Sequence, residues 1–539
     1  MVNTDKSSSD HADAAEMAGR ARRRASLSAI ALLIFPVLLF IAGLVMISHM
    51  SPIYSGLRGL DYDPAYQYLF NGAGLMKGYN PSHTDHPGTP VQLVSGLVSI
   101  IAWSAARLFG LTSLAFPASI AANPEEYLQV IMIVFVAMNG AAVYWLGNAI
   151  ARSTGIAAAG VACQAIYLLF GPLYPRTFHV GSEAFLCLAA TALMSVLTPA
   201  LFADEECSDR RAWTVGLFIG LGITSKVTFL ALLPLILLLR RLRPILIAMS
   251  ASVLFGLFFL LPIAGKLKTV FGWLFSIATH SGVYGTGTAG LIDWAAIPSR
   301  MLQIASEEPL LAVAAAAVAA VFAFSNSRNR YNALIIAGAA GTLLALVLKH
   351  FSVHYLMPVL AIAPAIIVWA ISRFVRTDRA YLVASAVAAA IGITSLWKMS
   401  STFADERALR RANEKAVNEA IAKYDNPVVI GAYRSGYKPW AVLFGLAWSD
   451  LKFARLFPQT IAADSLTYDS SIRKPWRAHH GEVDWSYLDQ FEKAGRAVLI
   501  IQSRDSKIPR ETARTETVMD QGFGDTVQRI IVTPRDSGK

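Results

Sequence analysis

The chain is short of charge: Asp, Glu, Lys and Arg make up 15% of its 539 residues, against a hydrophobic share of 55%. Soluble domains carry about a quarter charged residues, so this composition excludes the ordinary soluble class and reads as a polytopic membrane protein. Cysteine is scarce too. Cys163 and Cys187 lie in apolar runs and Cys207 in a short charged loop, which excludes a disulfide framework and a CxxC metal site. Any metal must then be held by His and carboxylates. No internal repeat is evident, which argues against the inverted-repeat build of many transporters. The formal charge of +11 is spread in short basic clusters between apolar runs. Such clusters orient helices against the cytoplasmic leaflet and do not read as a nucleic-acid surface.

Residues 1–25 read as a disordered cytoplasmic tail that ends in "RARRR" (20–24), followed by an apolar run at 26–48. That run is long enough to span, and no small-x-small cleavage site follows, so it is expected to be a retained anchor. Further runs lie at about 127–150, 155–174, 184–203, 212–225, 227–239, 245–264, 309–325, 332–349, 355–372 and 380–397. The run 91–110 is ambiguous. If it crosses, "RRLR" (240–243), "SRNR" (327–330) and "RFVRTDR" (373–379) all fall outside; if it lies along the interface or re-enters, each turns inside, as the positive-inside rule requires. The second reading gives about eleven spans with the C-terminus outside. It leaves 49–126, 174–183, 265–308 and the region after 398 on the extracytoplasmic side.

Beyond residue 399 charges become frequent and apolar runs shorten to strand length. Residues 401–424 have helical spacing, while "PVVIGAY" (427–433), "AVLIIQS" (497–503) and "VQRIIVT" (527–533) read as buried strands. The expected organisation is therefore an α-helical transmembrane domain over 26–398 and a small extracytoplasmic α/β domain over 399–539.

The loop 49–126 gathers Asp61, Asp63, His83, Asp85 and His86. After Asp63, Tyr66, Leu69, Phe70 and Ala73 fall at helical spacing, which predicts an amphipathic helix on the membrane with Pro64 in its first turn. Asp63 then either caps that helix or serves as a carboxylate that takes a proton from an acceptor hydroxyl. "YPRTFHVGSE" (174–183) brings Arg176, His179 and Glu183 to the mouth of the next apolar run. An acidic residue there is costly unless it faces a cavity or a partner. Lys226, between two half-length apolar runs, either snorkels or meets a lipid phosphate. "GTGTAG" (285–290) formally fits G-x-G-x-x-G, yet no strand precedes it and no helix opens from it, so a nucleotide cofactor is not expected. A glycine loop beside His280 that closes over substrate fits better. His350, His354 and Tyr355 return to the same side.

These motifs, in this order, resemble the GT-C superfamily of membrane glycosyltransferases, on the side of the protein O-mannosyltransferases and the lipid A aminoarabinose transferases. "YDPAYQYLFNGAGLMKGYNP" is similar to the family's first loop, with Asp63 at the catalytic Asp and Tyr66 at the tyrosine. Pro64 stands where Glu is common, so any role of that second carboxylate is lost or moves to Asp61. Asp85, His86 and Pro87 match the acidic-basic-Pro motif. Glu183 matches the second functional carboxylate, Ser225 and Lys226 match a Thr-Lys pair, and His280 matches a loop histidine. The resemblance implies transfer of a sugar from a polyprenyl-phosphate donor to an acceptor on the extracytoplasmic face. In it Asp63, Glu183 and Asp61 are catalytic; Tyr66, His86, Arg176, Lys226, His354 and Tyr355 bind substrate; Asp85 and His280 hold a divalent cation. A bacterial inner membrane is the expected location. The alternative is a transporter or flippase of a lipid-linked or anionic substrate, which predicts ionisable residues near the bilayer midplane rather than in loops and at helix ends.

Overall fold

Polar breaks cut the apolar sequence into helices, and the computed structural model describes residues 29–49, 65–84, 87–280, 287–290, 294–348, 352–375, 377–432, 438–457, 466–469, 474–477, 481–503, 514–520 and 525–531. The first apolar run forms α1 (Ala29–His49). The loop after it holds α2 (Ala65–Leu75), α3 (Thr89–Leu108) and the short α4 (Phe116–Ala122). Then follow α5 (Pro124–Thr154), α6 (Ala157–Ile166), α7 (Ser182–Phe202), α8 (Asp209–Ser225), α9 (Leu242–Leu260) and α10 (Leu267–Thr279). The last helices before the soluble part are α11 (Ile297–Glu307), α12 (Pro309–Phe324), α13 (Ser327–Val347), α14 (Met357–Phe374) and the long α15 (Asp378–Ile421).

Among the described residues eight helical segments are long and apolar enough to cross a bilayer, or nine if α11 and α12, bent by 101°, count as one. The difference from about eleven has physical sources: α3, read as lying along the interface or re-entering, meets the length and apolarity of a span and is among the eight, while α8, at 17 residues, is too short to be counted. Two expected spans are only partly α-helical or not at all: α6 continues as a 3₁₀ helix over Tyr167–Thr177, and the run after α8 is a 3₁₀ helix over Val227–Leu239. The first contains Pro172 and Pro175 and the second Pro234, and proline cannot donate an i→i−4 bond. The tighter, more elongated winding has a use. Thirteen residues at about 2.0 Å each reach about 26 Å, where α winding gives about 20 Å.

At the centre of the bundle lie α7, buried almost throughout, and α14, whose residues 357–370 are all buried. By contrast α9 turns Val253, Leu254, Leu257 and Phe258 outward, as a lipid-facing helix does. The reverse polarity marks α3: Thr89, Gln92, Ser95 and Ser99 are fully buried, while Leu97 and Ile101 are exposed. Its far end turns back on itself, since Trp103 Nε1 donates to the Leu114 carbonyl at 3.0 Å and the Phe116 ring packs 5.7 Å from that of Trp103.

The surface helix expected after Asp63 is instead interior. Ten of the 11 residues of α2 are buried. On one side Gly72 and Gly96 let α2 and α3 touch backbone to backbone; a Cβ on Gly96 would lie 2.3 Å from the Gly72 carbonyl oxygen. The other side is covered by residues 438–457, which contain α16 (Lys438–Ala447) and α17 (Leu451–Ala454). A Cβ on Gly445 would meet the Phe70 ring at 2.7 Å, and Phe70 and Tyr79 pack against Phe457 and Phe453. Although they come late in the chain, Leu443, Leu446, Phe453 and Phe457 join the core of the membrane domain.

No break occurs at the expected boundary near residue 398, because α15 runs on for 44 residues, about 66 Å at 1.5 Å per residue. Its last turns support a mixed seven-stranded sheet of order β4-β3-β2-β1-β5-β7-β6, with β1 (Val428–Ala432), β2 (Leu466–Asp469), β3 (Lys474–Arg477), β4 (Gly481–Glu482), β5 (Val498–Ser503), β6 (Arg514–Met519) and β7 (Asp525–Ile531). The three runs predicted as strands become β1, β5 and β7, at the middle of the sheet. Strand β1 is parallel to β2 and β5, and the remaining pairs are antiparallel. Alternation explains the two cores: Val498 and Ile500 pack with Val428, Ile430 and Leu488 on one face, and Leu499 and Ile501 pack with Val417 and Ala420 of α15 on the other.

Candidate active site

Helix α8 stops where Lys226 takes an extended conformation, φ −163° and ψ 137°, before the 3₁₀ helix resumes the path. The break places a lysine whose side chain is 3% exposed opposite the first turn of α7. There Glu183 Oε1 accepts from Lys226 Nζ at 2.6 Å, and Ser182 Oγ donates to Glu183 Oε2 at 3.4 Å. A third element closes the group: residues Val353–Leu356 form a single 3₁₀ turn before α14, which sets His354 Nε2 3.8 Å from the same Glu183 oxygen. The Tyr355 ring lies under Lys226 Nζ at 4.7 Å from its centroid, a cation–π contact. Ser352 Oγ meets His354 Nδ1 at 2.7 Å and fixes the imidazole plane. Arg176, at the end of the 3₁₀ helix Tyr167–Thr177, is close enough to act electrostatically on both Glu183 and His354.

Five of the sequence-predicted residues, Arg176, Glu183, Lys226, His354 and Tyr355, thus form one cluster drawn from four stretches of chain. Its chemistry is that of a buried carboxylate neutralised by one ammonium, with a guanidinium, an imidazole and a phenol beside it. An anion that enters meets donors already oriented and already stripped of water. Ser352 was not legible as a member; a serine two residues before a histidine is too common a pattern to mark it.

The other expected residues lie elsewhere. Asp61, Asp63, Asp85 and His86 fall outside the described residues. Tyr66, expected at the substrate, is fully buried. Burial, with Glu125 and Glu414 nearby and Arg410 opposing them, pushes its hydroxyl well above the usual tyrosine range. It therefore stays protonated, beside the point where Arg410 of α15 donates to Glu125 Oε1 of α5 at 3.0 Å. His280 remains on its own loop: its Nδ1 meets Thr279 Oγ1 at 2.9 Å, and its backbone pairs with Ala289. Among the described residues no three His, Cys, Asp or Glu side chains converge as metal ligands.

Asn71 is a residue that sequence reading passed over. Its Nδ2 donates to the Gln67 and Trp448 carbonyls at 2.7 and 3.0 Å, and its Oδ1 accepts from Ser82 N and His83 N at 2.7 and 3.4 Å. Lys266 Nζ adds a bond to the Pro81 carbonyl at 2.7 Å, and Gln92 Nε2 donates to that of His83 at 2.7 Å. The turn before Asp85 is thereby fixed to α2, α3 and α9–α10 together. A signal existed: Gln67 and Asn71 are polar at i and i+4 in an otherwise apolar helix. The His83 ring lies edge-on to Tyr68 and Trp448, at 5.2 and 6.2 Å. Burial lowers its pKa from 6.5 to about 4.

Comparison with known proteins follows the same lines. The model of glycosyltransferase family 87 matches residues 108–349, a segment that includes Arg176, Glu183, Lys226 and His280. No curated protein matches the sequence. The structure of ArnT from Cupriavidus metallidurans bound to undecaprenyl phosphate aligns with TM-score 0.49 at 12% identity, over 93% of this chain and 99% of that one. The family 87 match rests on the segment that supplies Arg176, Glu183 and Lys226 to the buried cluster, and it bears out the resemblance to membrane glycosyltransferases read from the motifs.

Proposed function

We propose that the protein moves a hexosyl or pentosyl group from a polyprenyl-phosphate donor to a hydroxyl of a lipid, glycan or protein acceptor, with inversion, on the extracytoplasmic face. The observation that carries this reading is the buried Glu183–Lys226 pair with Arg176, His354 and Tyr355 around it. Such a site, at the ends of apolar helices, suits a charged phosphate whose lipid tail lies in the bilayer.

In the reaction proposed, Asp63, with Asp61 beside it, takes the proton of the acceptor hydroxyl. The acceptor oxygen bonds to the anomeric carbon from the face opposite the phosphate. The bond from that carbon to the phosphate oxygen breaks, and its electron pair leaves with the lipid phosphate. Lys226 and Arg176 compensate the charge that grows on the leaving group, which a water-poor site strengthens. Glu183 holds Lys226 in place and orients the acceptor through its second oxygen. His86, His354 and Tyr355 line the substrate, while Tyr66 braces α2 from the buried side. A divalent cation on Asp85 and His280 would add charge at the same phosphate; of the two, His280 is the described residue, and its Nδ1 is engaged by Thr279.

The orientation proposed puts the N-terminus in the cytoplasm and the sheet domain outside, in a bacterial inner membrane. In support, Arg240 and Arg328 share Asp204, and Arg373 donates to the Leu201 and Phe202 carbonyls. Three basic clusters thus gather at one end of the bundle, opposite the end that holds Glu183 and Lys226.

The test is release of polyprenyl phosphate from a panel of polyprenyl-phosphate sugars by purified protein in lipid nanodiscs with cell-envelope extract. Release by the wild type that is lost in both Asp63→Asn and Lys226→Ala supports the reading, and the active donor identifies the sugar. Release that survives both substitutions rules it out.

A further inference from the structure

Two of the helical segments that carry the site are tied at both ends. At the site end Glu183, in the first turn of α7, meets Lys226, which precedes the 3₁₀ helix Val227–Leu239. At the opposite end α7 stops at Phe202 and the 3₁₀ helix at Leu239. Just beyond those ends Arg240 reaches Asp204 Oδ1 at 3.4 Å. Arg328, from the first turn of α13, reaches the same oxygen at 2.6 Å and donates to the Asp204 carbonyl at 3.1 Å. Arg240 also donates to Asn332 Oδ1 at 3.0 Å.

The two paths match in length only because they are wound differently. From Glu183 to Asp204 an α-helix advances about 32 Å. From Lys226 to Arg240 a 3₁₀ helix advances about 28 Å, while α winding would advance about 21 Å. A 3₁₀ run of 13 residues is uncommon, because its hydrogen-bond geometry is poorer and runs beyond about four residues rarely persist. Something must hold it extended. The far end shows what does: both paths terminate there, with Asp204 and Arg240 at the left-handed positions (φ of 59° and 61°) that end helices, and the two side chains meet just where the runs stop.

We infer that Asp204, Arg240 and Arg328 form a tie that keeps Val227–Leu239 stretched, and so positions Lys226 against Glu183 at the far side of the bundle. They are positioning residues: none touches the Glu183 cluster, and their effect passes through the length of one helix. The structural half of this inference stands by itself, while its kinetic consequence rests on the transferase reading.

Two measurements test it, each on the full chain in nanodiscs. For the first, Cys163, Cys187 and Cys207 are replaced by alanine and spin labels are attached at Val227→Cys and Leu237→Cys. Their backbone separation is about 20 Å in 3₁₀ winding and about 15 Å in α winding. The tie predicts the longer separation in the parent and the shorter one in Asp204→Asn, with Asp204→Glu restoring the parent value. Arg240→Lys, which keeps the charge and loses the guanidinium fork, serves where Asp204→Asn does not fold. For the second, unlabelled Asp204→Asn is assayed with the active donor. Displacement of Lys226 raises the donor KM severalfold and leaves the acceptor KM unchanged, whereas mere loss of folded protein lowers kcat alone. An unchanged separation overturns the inference whatever the activity, and a shortened separation with an unchanged donor KM overturns the positioning of Lys226. If the wild type releases lipid phosphate from no donor, the transferase reading fails, and the separation still decides the tie.

Discussion

Glu183 Oε1 lies 2.6 Å from Lys226 Nζ, with the two side chains 11% and 3% exposed, so each charge has the other as its main compensation. Neither residue alone is tolerable in that position. Transfer of a single charge to such an interior costs several kcal/mol, and an opposite charge in contact recovers much of it.

The pair therefore predicts an asymmetry between single and double variants. Lys226→Met leaves Glu183 buried and unpaired and should lower stability by about 3–5 kcal/mol. Combined with Glu183→Gln, the same change should recover much of that loss without recovering sugar transfer. Thermal unfolding in detergent, beside the release assay, separates the two effects; a double variant no more stable than Lys226→Met would count against the pairing.

His83 predicts an acid-sensitive step in stability. Its folded pKa of about 4 lies below the ordinary 6.5, so as pH falls the unfolded chain takes up this proton first. The neutral folded form is thus fully favoured above about pH 6.5, and its contribution is lost as pH falls from there towards 4, roughly 3 kcal/mol in all. The loss levels off below pH 4. A His83→Phe variant should unfold with a flatter pH dependence across that window, and an unchanged slope would show that His83 titrates normally.

Gly96→Ala should drive α2 and α3 apart, because the added Cβ would lie 2.3 Å from the Gly72 carbonyl oxygen and backbone cannot yield as a flexible side chain does. The expected cost is about 1–3 kcal/mol from overpacking, with reduced transfer because α2 carries the turn ahead of the site loop. Gly338→Ala, where a Cβ meets nothing within 4 Å, is the matched control.

Asn71→Leu removes two donors and one acceptor at once and leaves the Trp448 carbonyl and Ser82 N–H without those bonds. Each buried group so orphaned costs about 1–3 kcal/mol. The melting temperature should fall, and cross-linking between residues 82 and 448 by engineered cysteines should become slower; unchanged rates would mean that the aromatic contacts alone hold the segment.

What the sequence determined is the part governed by local pattern. Apolar runs set most of the spans, short continuous apolar runs of strand length set β1, β5 and β7, and the cost of charge in an apolar setting singled out Glu183 and Lys226 before any partner was known. Contacts between distant residues were decided by tertiary structure alone. Nothing local in "KPWAVLFGLAWSD" says that it covers α2 rather than the sheet beside it, since apolar helices pack equally well on either until the remaining surfaces are placed. In "VTFLALLPLILLL" Pro234 removes one α-helical bond, yet a run of leucines still favours α winding on either side of it; the longer form over the whole run follows from fixed partners at its two ends, Glu183 for Lys226 and Asp204 for Arg240. The charged residues were therefore readable one at a time, and their pairing, which is what makes a site of them, belongs to the fold.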